Sequence, residues 1–267
     1  MKIKTFILAL AAGGFFLTAC QKNIDIFVPD PGQINGPDST WQSTVTPTMP
    51  VNVLKNNLLL QPYIDTINVN ANVATIITPF GIQLNFPAHC CTNGTGQTVS
   101  GNVQVQLIAI KKNGDMIRLN KPSTYNDSML VTAGQIFIKL IKEGQTLQLA
   151  PGARINIRYV DLPTNPQMKL FIGDETNTSG YNWLPNQDLV NNTIFAGTQS
   201  YEIYTKQLGW TSLADVYDLS TAAKVSVTAD MASYFTNANT IAFTVFKDLR
   251  STIAMKGDLN TKKFITG

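Results

Sequence analysis

The chain contains one histidine and three cysteines, and only 14% of its residues are charged. Each scarcity closes off a class of chemistry. With His89 alone there is no imidazole pair for a spaced metal site, and no Gly-x-Ser-x-Gly elbow is present to seat a hydrolase nucleophile. Three cysteines are too few for a disulfide framework. The formal charge is +3, and removing residues 1–19, which carry Lys2 and Lys4 and no acid, lowers it to +1. No basic stripe is left to neutralise phosphates, which argues against nucleic acid as a partner. Ordinary domains carry about 25% charged residues; here Asn, Thr, Gln and Ser fill the polar positions instead. Such a surface projects little long-range field to steer a ligand. No stretch keeps helical spacing, and no apolar run reaches the roughly 20 residues a membrane-spanning helix needs.

What is present begins at the N-terminus. Lys2 and Lys4 open the chain, Phe6 to Phe16 form an apolar run broken only by small residues, and Leu17-Thr18-Ala19-Cys20 follows. That order is the order of an export signal. Its last four residues resemble a lipobox, where bacterial lipoproteins are acylated on cysteine and cleaved just before it. The expectation is a signal peptide over residues 1–19, lipidation at Cys20 and an outer-membrane protein held by lipid. Acylation contributes about 0.8 kcal/mol per buried methylene, so more than one chain gives stable anchoring. Residues 20–50 hold Pro29, Pro31, Pro37, Pro47 and Pro50 without any period of 2 or 3.6, and read as the lipidated Cys followed by a flexible tether. Gln21-Lys22 resembles the start of a surface-export signal. That signal continues with acids where this chain has Asn23 and Ile24, so the periplasmic face and the cell surface both stay open.

From about residue 51 the pattern is that of strands. Val103, Val105, Leu107 and Ala109 alternate with Gln104, Gln106 and Ile108. Ile136 to Ile141 leads into Lys142-Glu143-Gly144-Gln145, a hairpin turn in which Gly supplies the unusual dihedral. Ile155 to Tyr159, Thr193 to Phe195, Tyr201 to Thr205, Lys224 to Thr228 and Ile241 to Phe246 continue the series, while Ala229 to Phe235 has room for a helical turn or two. β-Branched and aromatic residues fill these runs, and Asn, Gly, Pro and Asp separate them. Many short strands argue an all-β fold of sandwich type. Pro163 and Pro166, which cannot donate to a ladder, divide it into two packed β-sandwich-like units over residues 51–162 and 163–267.

The order of motifs carries a resemblance. Phe80-Gly81-Ile82-Gln83-Leu84-Asn85-Phe86-Pro87-Ala88 precedes Gly101-Asn102-Val103-Gln104-Val105, followed by Asp115-Met116-Ile117, Lys121-Pro122-Ser123-Thr124 and Leu130 to Gly134. Leu147 to Gly152, Met168 to Gly173, Leu208-Gly209-Trp210 and Phe243 to Lys247 complete the series. It resembles Bacteroidota-type envelope lipoproteins of uncharacterised family, whose first half is similar to the ZU-type β-sandwich of netrin receptors and ankyrins. The resemblance implies a β-sandwich and an envelope location, and brings no catalytic residues. Some eukaryotic relatives cleave themselves at a His-Phe-Ser sequence, a tripeptide this chain lacks.

Candidate sites are sparse. His89-Cys90-Cys91 is the one cluster of soft metal ligands, but adjacent cysteines diverge and no fourth ligand of that kind exists, so no metal is expected. Neighbouring Cα atoms lie about 3.8 Å apart, short of the roughly 4.4–6.8 Å of a relaxed disulfide, so Cys90 and Cys91 read as small buried side chains. Glu143, Glu175 and Glu202 fall in turn, loop and strand rather than as a flanking pair for glycoside hydrolysis. Gly173 to Asn177 lacks the regular spacing of a calcium loop. Among Tyr181, Trp183, Tyr201, Tyr204 and Trp210, core packing is the ordinary role; Trp183 and Trp210 are the candidate ligand-facing aromatics. Ser39, Thr66 and Ser128 fit an Asp-Ser/Thr-apolar pattern resembling the O-glycosylation signal of these bacteria. The expectation is a non-enzymatic lipoprotein of the envelope without cofactor, anchored in the membrane by lipid. Its role is binding, adhesion or assembly, and its partner an envelope protein or a glycan. The alternative is a glycan-binding accessory lipoprotein of a polysaccharide-uptake system.

Overall fold

The computed structural model describes residues 39–126, 128–176, 181–217 and 226–266. In chain order they form helix α1 (Pro50–Asn57), then strands β1 (Tyr63–Asn68), β2 (Val73–Ile77), β3 (Ile82–Pro87), β4 (Cys91–Thr92) and β5 (Asn102–Ile110). Helix α2 (Asn113–Arg118) precedes β6 (Thr124–Tyr125), β7 (Ser128–Lys142), β8 (Gln145–Thr146), β9 (Gln148–Leu149) and β10 (Ile155–Tyr159). Then come β11 (Lys169–Asp174), β12 (Asn182–Pro185), β13 (Thr193–Ala196), β14 (Tyr201–Thr205) and β15 (Gly209–Val216). Five short strands end the chain: β16 (Thr228–Ala229), β17 (Phe243–Val245), β18 (Thr252–Ala254), β19 (Lys256–Asp258) and β20 (Lys263–Ile265). The fold is all-β and sandwich-like.

Alternation decides which faces meet. In β3, Ile82, Leu84 and Phe86 are buried while Gln83, Asn85 and Pro87 point the other way. Ile157 of β10 pairs with Leu84 on one side and Ile203 of β14 on the other, which sets the order β13-β14-β10-β3-β2 in one antiparallel sheet. The facing sheet runs β1-β5-β7-β15-β11-β12. Val103, Val105 and Leu107 of β5 and Ile136, Ile138 and Leu140 of β7 meet the first sheet's inward residues in one continuous core. Burying each such aliphatic side chain stabilises the fold by about 1.5–3 kcal/mol. The six-strand order carries apolar residues on its other face too. There Ile110, Met116, Leu130, Phe171, Trp183 and Trp210 form a second cluster, to which α2 contributes Met116.

Both sheets cross the expected boundary between residues 162 and 163. β10 pairs with β14, and β7 pairs with β15, so strands from either side share their ladders. Residues 37–267 form one compact unit, not two. Pro163 and Pro166 lie in the loop that carries the chain from β10 in one sheet to β11 in the other, where no ladder bond is lost.

Two further expectations are corrected. The segment read as tether does not extend to residue 50. The Trp41 ring lies 5.1 Å from that of Phe264, and Asn237 brackets the Gln42 backbone, accepting from its N–H at 2.9 Å and donating to its carbonyl at 2.7 Å. Pro50 then opens α1, a position where its missing N–H costs nothing. Among the described residues the α-helices are α1 and α2, whereas 229–235 makes a turn without a helix.

One irregularity ties the C-terminal segment to the sandwich. Between β7 and β15 the register shifts, so that Gly134 pairs with Leu213 but Ala214 pairs with Thr132, leaving Ala133 as a bulge. The Thr132 hydroxyl fills the broken ladder, donating to the Leu213 carbonyl at 2.8 Å and accepting from the Gly134 N–H at 2.9 Å. The bulged Ala133 carbonyl accepts from the Tyr159 hydroxyl and from Arg250, whose guanidinium also grips Asp161 at 2.8 and 2.6 Å. A Cβ at Gly134 would overlap the Tyr159 hydroxyl, which is why the position is glycine.

Candidate binding cleft and exposed sheet face

A cleft of about 590 Å³ opens between the start of β7 and the C-terminal strands. Asn120, Pro122, Thr124 and Asn126 lead into β7 and form one wall with Tyr181 and Asn182. The Asn126 N–H donates to the Asn182 side-chain carbonyl at 3.2 Å, which fixes that rim. Ile241, Phe243, Ile253, Met255 and Phe264 of the C-terminal segment line the cleft as well, together with Val51 and Lys55 of α1 and Lys256 of β19. Lys55 is half-buried, and burial lowers its pKa. Among the described lining residues there is no carboxylate.

Behind that rim lies an aromatic cluster that holds a cation. The Tyr181 ring meets Trp183 edge-on at 5.2 Å, and Trp210 tilts against Phe137 at 5.2 Å. The Lys121 ammonium stands 3.5 Å from the Tyr181 centroid and 5.1 Å from that of Trp210. Burial pushes its pKa down to about 8, against the opposing pull of Glu175. Trp183 is fully buried and its indole N–H donates to the Pro122 carbonyl at 2.7 Å; Trp210 is 7% exposed. Neither faces solvent, so both expected ligand-facing aromatics are core residues. The Tyr181 hydroxyl is buried without a hydrogen-bond partner among the described residues.

The outward face of the five-strand sheet is different in kind. The Thr75 hydroxyl donates to the Asn85 carbonyl at 2.9 Å, Asn85 donates to Asn156 at 2.8 Å, and Asn156 donates to Glu202 at 3.2 Å. This ladder of side chains crosses four strands, β2, β3, β10 and β14. Phe195, 59% exposed, packs edge-on against Tyr204 at its end. A shallow groove of about 450 Å³ beside it is lined by Asn85, His89, Arg154, Asn156 and Tyr204.

The remaining candidates do not converge. His89 is exposed with φ of 52°, while Cys90 and Cys91 are fully buried with their Sγ atoms 3.4 Å apart. Among the described residues no three His, Cys, Asp or Glu side chains gather as a metal site. The sulfur contact lowers the Cys90 pKa and, with burial, raises that of Cys91. Glu143 is exposed at its turn, and Thr176 engages Asp174 through its N–H and hydroxyl, an Asx turn rather than an open cation site. Thr66 is exposed on β1, an edge strand; Ser39 and Ser128 are half-buried. Cys20 and Asn177 lie outside the described residues. The sequence reading missed the placement of Lys55, Lys121 and Lys256. Lys121 stands in a motif of the resemblance, but nothing in that motif marks it as a cation among aromatic rings, and Lys55 and Lys256 fall in no motif. Compared with known protein families, curated proteins and solved structures, the chain matches none.

Proposed function

We propose that this is a non-enzymatic, lipid-anchored lipoprotein of the bacterial cell envelope whose β-sandwich presents a binding surface. The observation that carries the reading is the order of Lys2 and Lys4, the apolar run to Phe16 and the box Leu17-Thr18-Ala19-Cys20. Among the described residues no helix is long and apolar enough to cross a membrane, so attachment in this reading falls to the acylated Cys20. The resemblance to Bacteroidota-type envelope lipoproteins with a ZU-type domain supports the same location, the outer membrane. Fractionation tests it. Cys20→Ala should move the protein to the soluble fraction or leave an uncleaved precursor, and normal membrane partition with full maturation would overturn the anchor.

A second reading, glycan binding in a polysaccharide-uptake system, is favoured by the outward face of the five-strand sheet. Amide side chains donate and accept at once, matching sugar hydroxyls, and the exposed Phe195 and Tyr204 rings suit the apolar faces of sugars. The double variant Phe195→Ala, Tyr204→Ala should lose retention on polysaccharide affinity gels while keeping its melting temperature. Unchanged retention, or no retention of the parent on any gel, would sink this reading.

A further inference from the structure

We propose that the cleft between the start of β7 and the C-terminal strands binds a small anionic amphiphile, with one acidic headgroup on an apolar body. The inference is independent of the membrane anchor. At about 590 Å³ the cleft falls in the range of ligand sites, roughly 300–1,000 Å³, and its lining mixes apolar side chains with amides, hydroxyls and two lysines. Its charge is one-sided. Lys55 and Lys256 are the only charged residues among its described lining, and neither joins an ion pair among the described residues. Lys55 is half-buried, and the lowering of its pKa is the effect that a bound anion would reverse.

The rest of the lining decides what accompanies the charge. Phe243, Met255 and Phe264 offer an apolar wall to a hydrocarbon or aryl body, and Met adapts to irregular shapes. Asn120 and Asn182, also in the lining, add amide donors. An inorganic anion would leave the apolar wall unused. A cationic amphiphile would meet two like charges and no carboxylate.

Titration calorimetry on the chain from residue 20 onward, carrying Cys20→Ser so that no lipid competes, tests this. Dodecanoate should bind one-to-one and weaken as salt is raised, while dodecylammonium and inorganic phosphate should show no saturable binding. The double variant Lys55→Gln, Lys256→Gln should weaken dodecanoate tenfold or more. The single Lys256→Gln, at an exposed side chain, should weaken it at least threefold and guards against a folding defect in the double variant. Absence of saturable dodecanoate binding, equal binding of dodecylammonium, or unchanged affinity in the lysine variants would overturn the proposal.

Discussion

The ammonium of Lys121 is enclosed by the rings of Tyr181 and Trp210, with the Glu175 carboxylate 3.5 Å away and only 14% of the side chain exposed. Glu175 is itself largely exposed, so its pull is screened, and desolvation wins: the pKa falls from 10.5 to about 8. The folded value lies below the unfolded one. Below pH of about 8 both states bind the proton, and the cost of burying the charge is fully present. Between about 8 and 10.5 the unfolded chain binds more protons, so stability rises with pH until the cost is relieved. The cation–π contacts offset part of it, roughly 1–2 kcal/mol. Lys121→Met should therefore be the more stable protein at pH 7, by about 1–2 kcal/mol. Its advantage should shrink between pH 8 and 10.5. Urea unfolding of both proteins at pH 7, 8.5 and 10 measures this, and comparison at matched pH cancels other titrations. A constant difference across that range would show that the charge is not held at a cost.

At the scale of elements, legibility in the sequence followed burial on one face. β3, β5, β10 and β14 show alternation because each sets one face against the core and the other toward polar surroundings over part of its length. The turn at Glu143-Gly144 was equally readable, and both residues take positive φ, 49° and 78°, as a tight hairpin requires. β7 is harder to read for a physical reason. Met129 to Ile138 is largely buried on both faces, so the period of 2 dissolves, and even the polar Thr132 and Gln135 lie inside. α1 and α2, of eight and six residues, are too short to accumulate a helical period, and β16 to β20 have only two or three residues each. The bulge at Ala133 is invisible in sequence, since Thr132 and Gly134 act there through contacts with β15 and Tyr159. The cleft was illegible for a related reason. Lys55, Asn120, Asn182 and Lys256 come from four distant stretches, and only tertiary packing brings them to one opening.

For the molecule as a whole, cutting at 162/163 would expose what the interleaved sheets conceal. Residues 51–162 alone keep β1, β5 and β7 and keep β2, β3 and β10, yet β7 loses its neighbour β15 and β10 loses β14. Two long edges would then present unpaired donors and acceptors to solvent. The shared core would also lose Leu170, Tyr201, Ile203 and Leu213, exposing apolar faces of Ile155, Ile157 and Ile136. The cavity terms alone reach about 2–5 kcal/mol for each large side chain removed, comparable to the total stability of a domain when several are lost. The fragment 51–162 should show no cooperative thermal transition by circular dichroism. The chain from residue 20 onward with Cys20→Ser should unfold in one step, because Trp183 and Trp210 pack in a cluster that also holds Ile110 and Leu130 from the other side of the cut. Tryptophan fluorescence and far-ultraviolet dichroism should give coincident midpoints. A sharp transition in the fragment, or two separated transitions in the longer chain, would restore the division at the prolines and overturn the single sandwich.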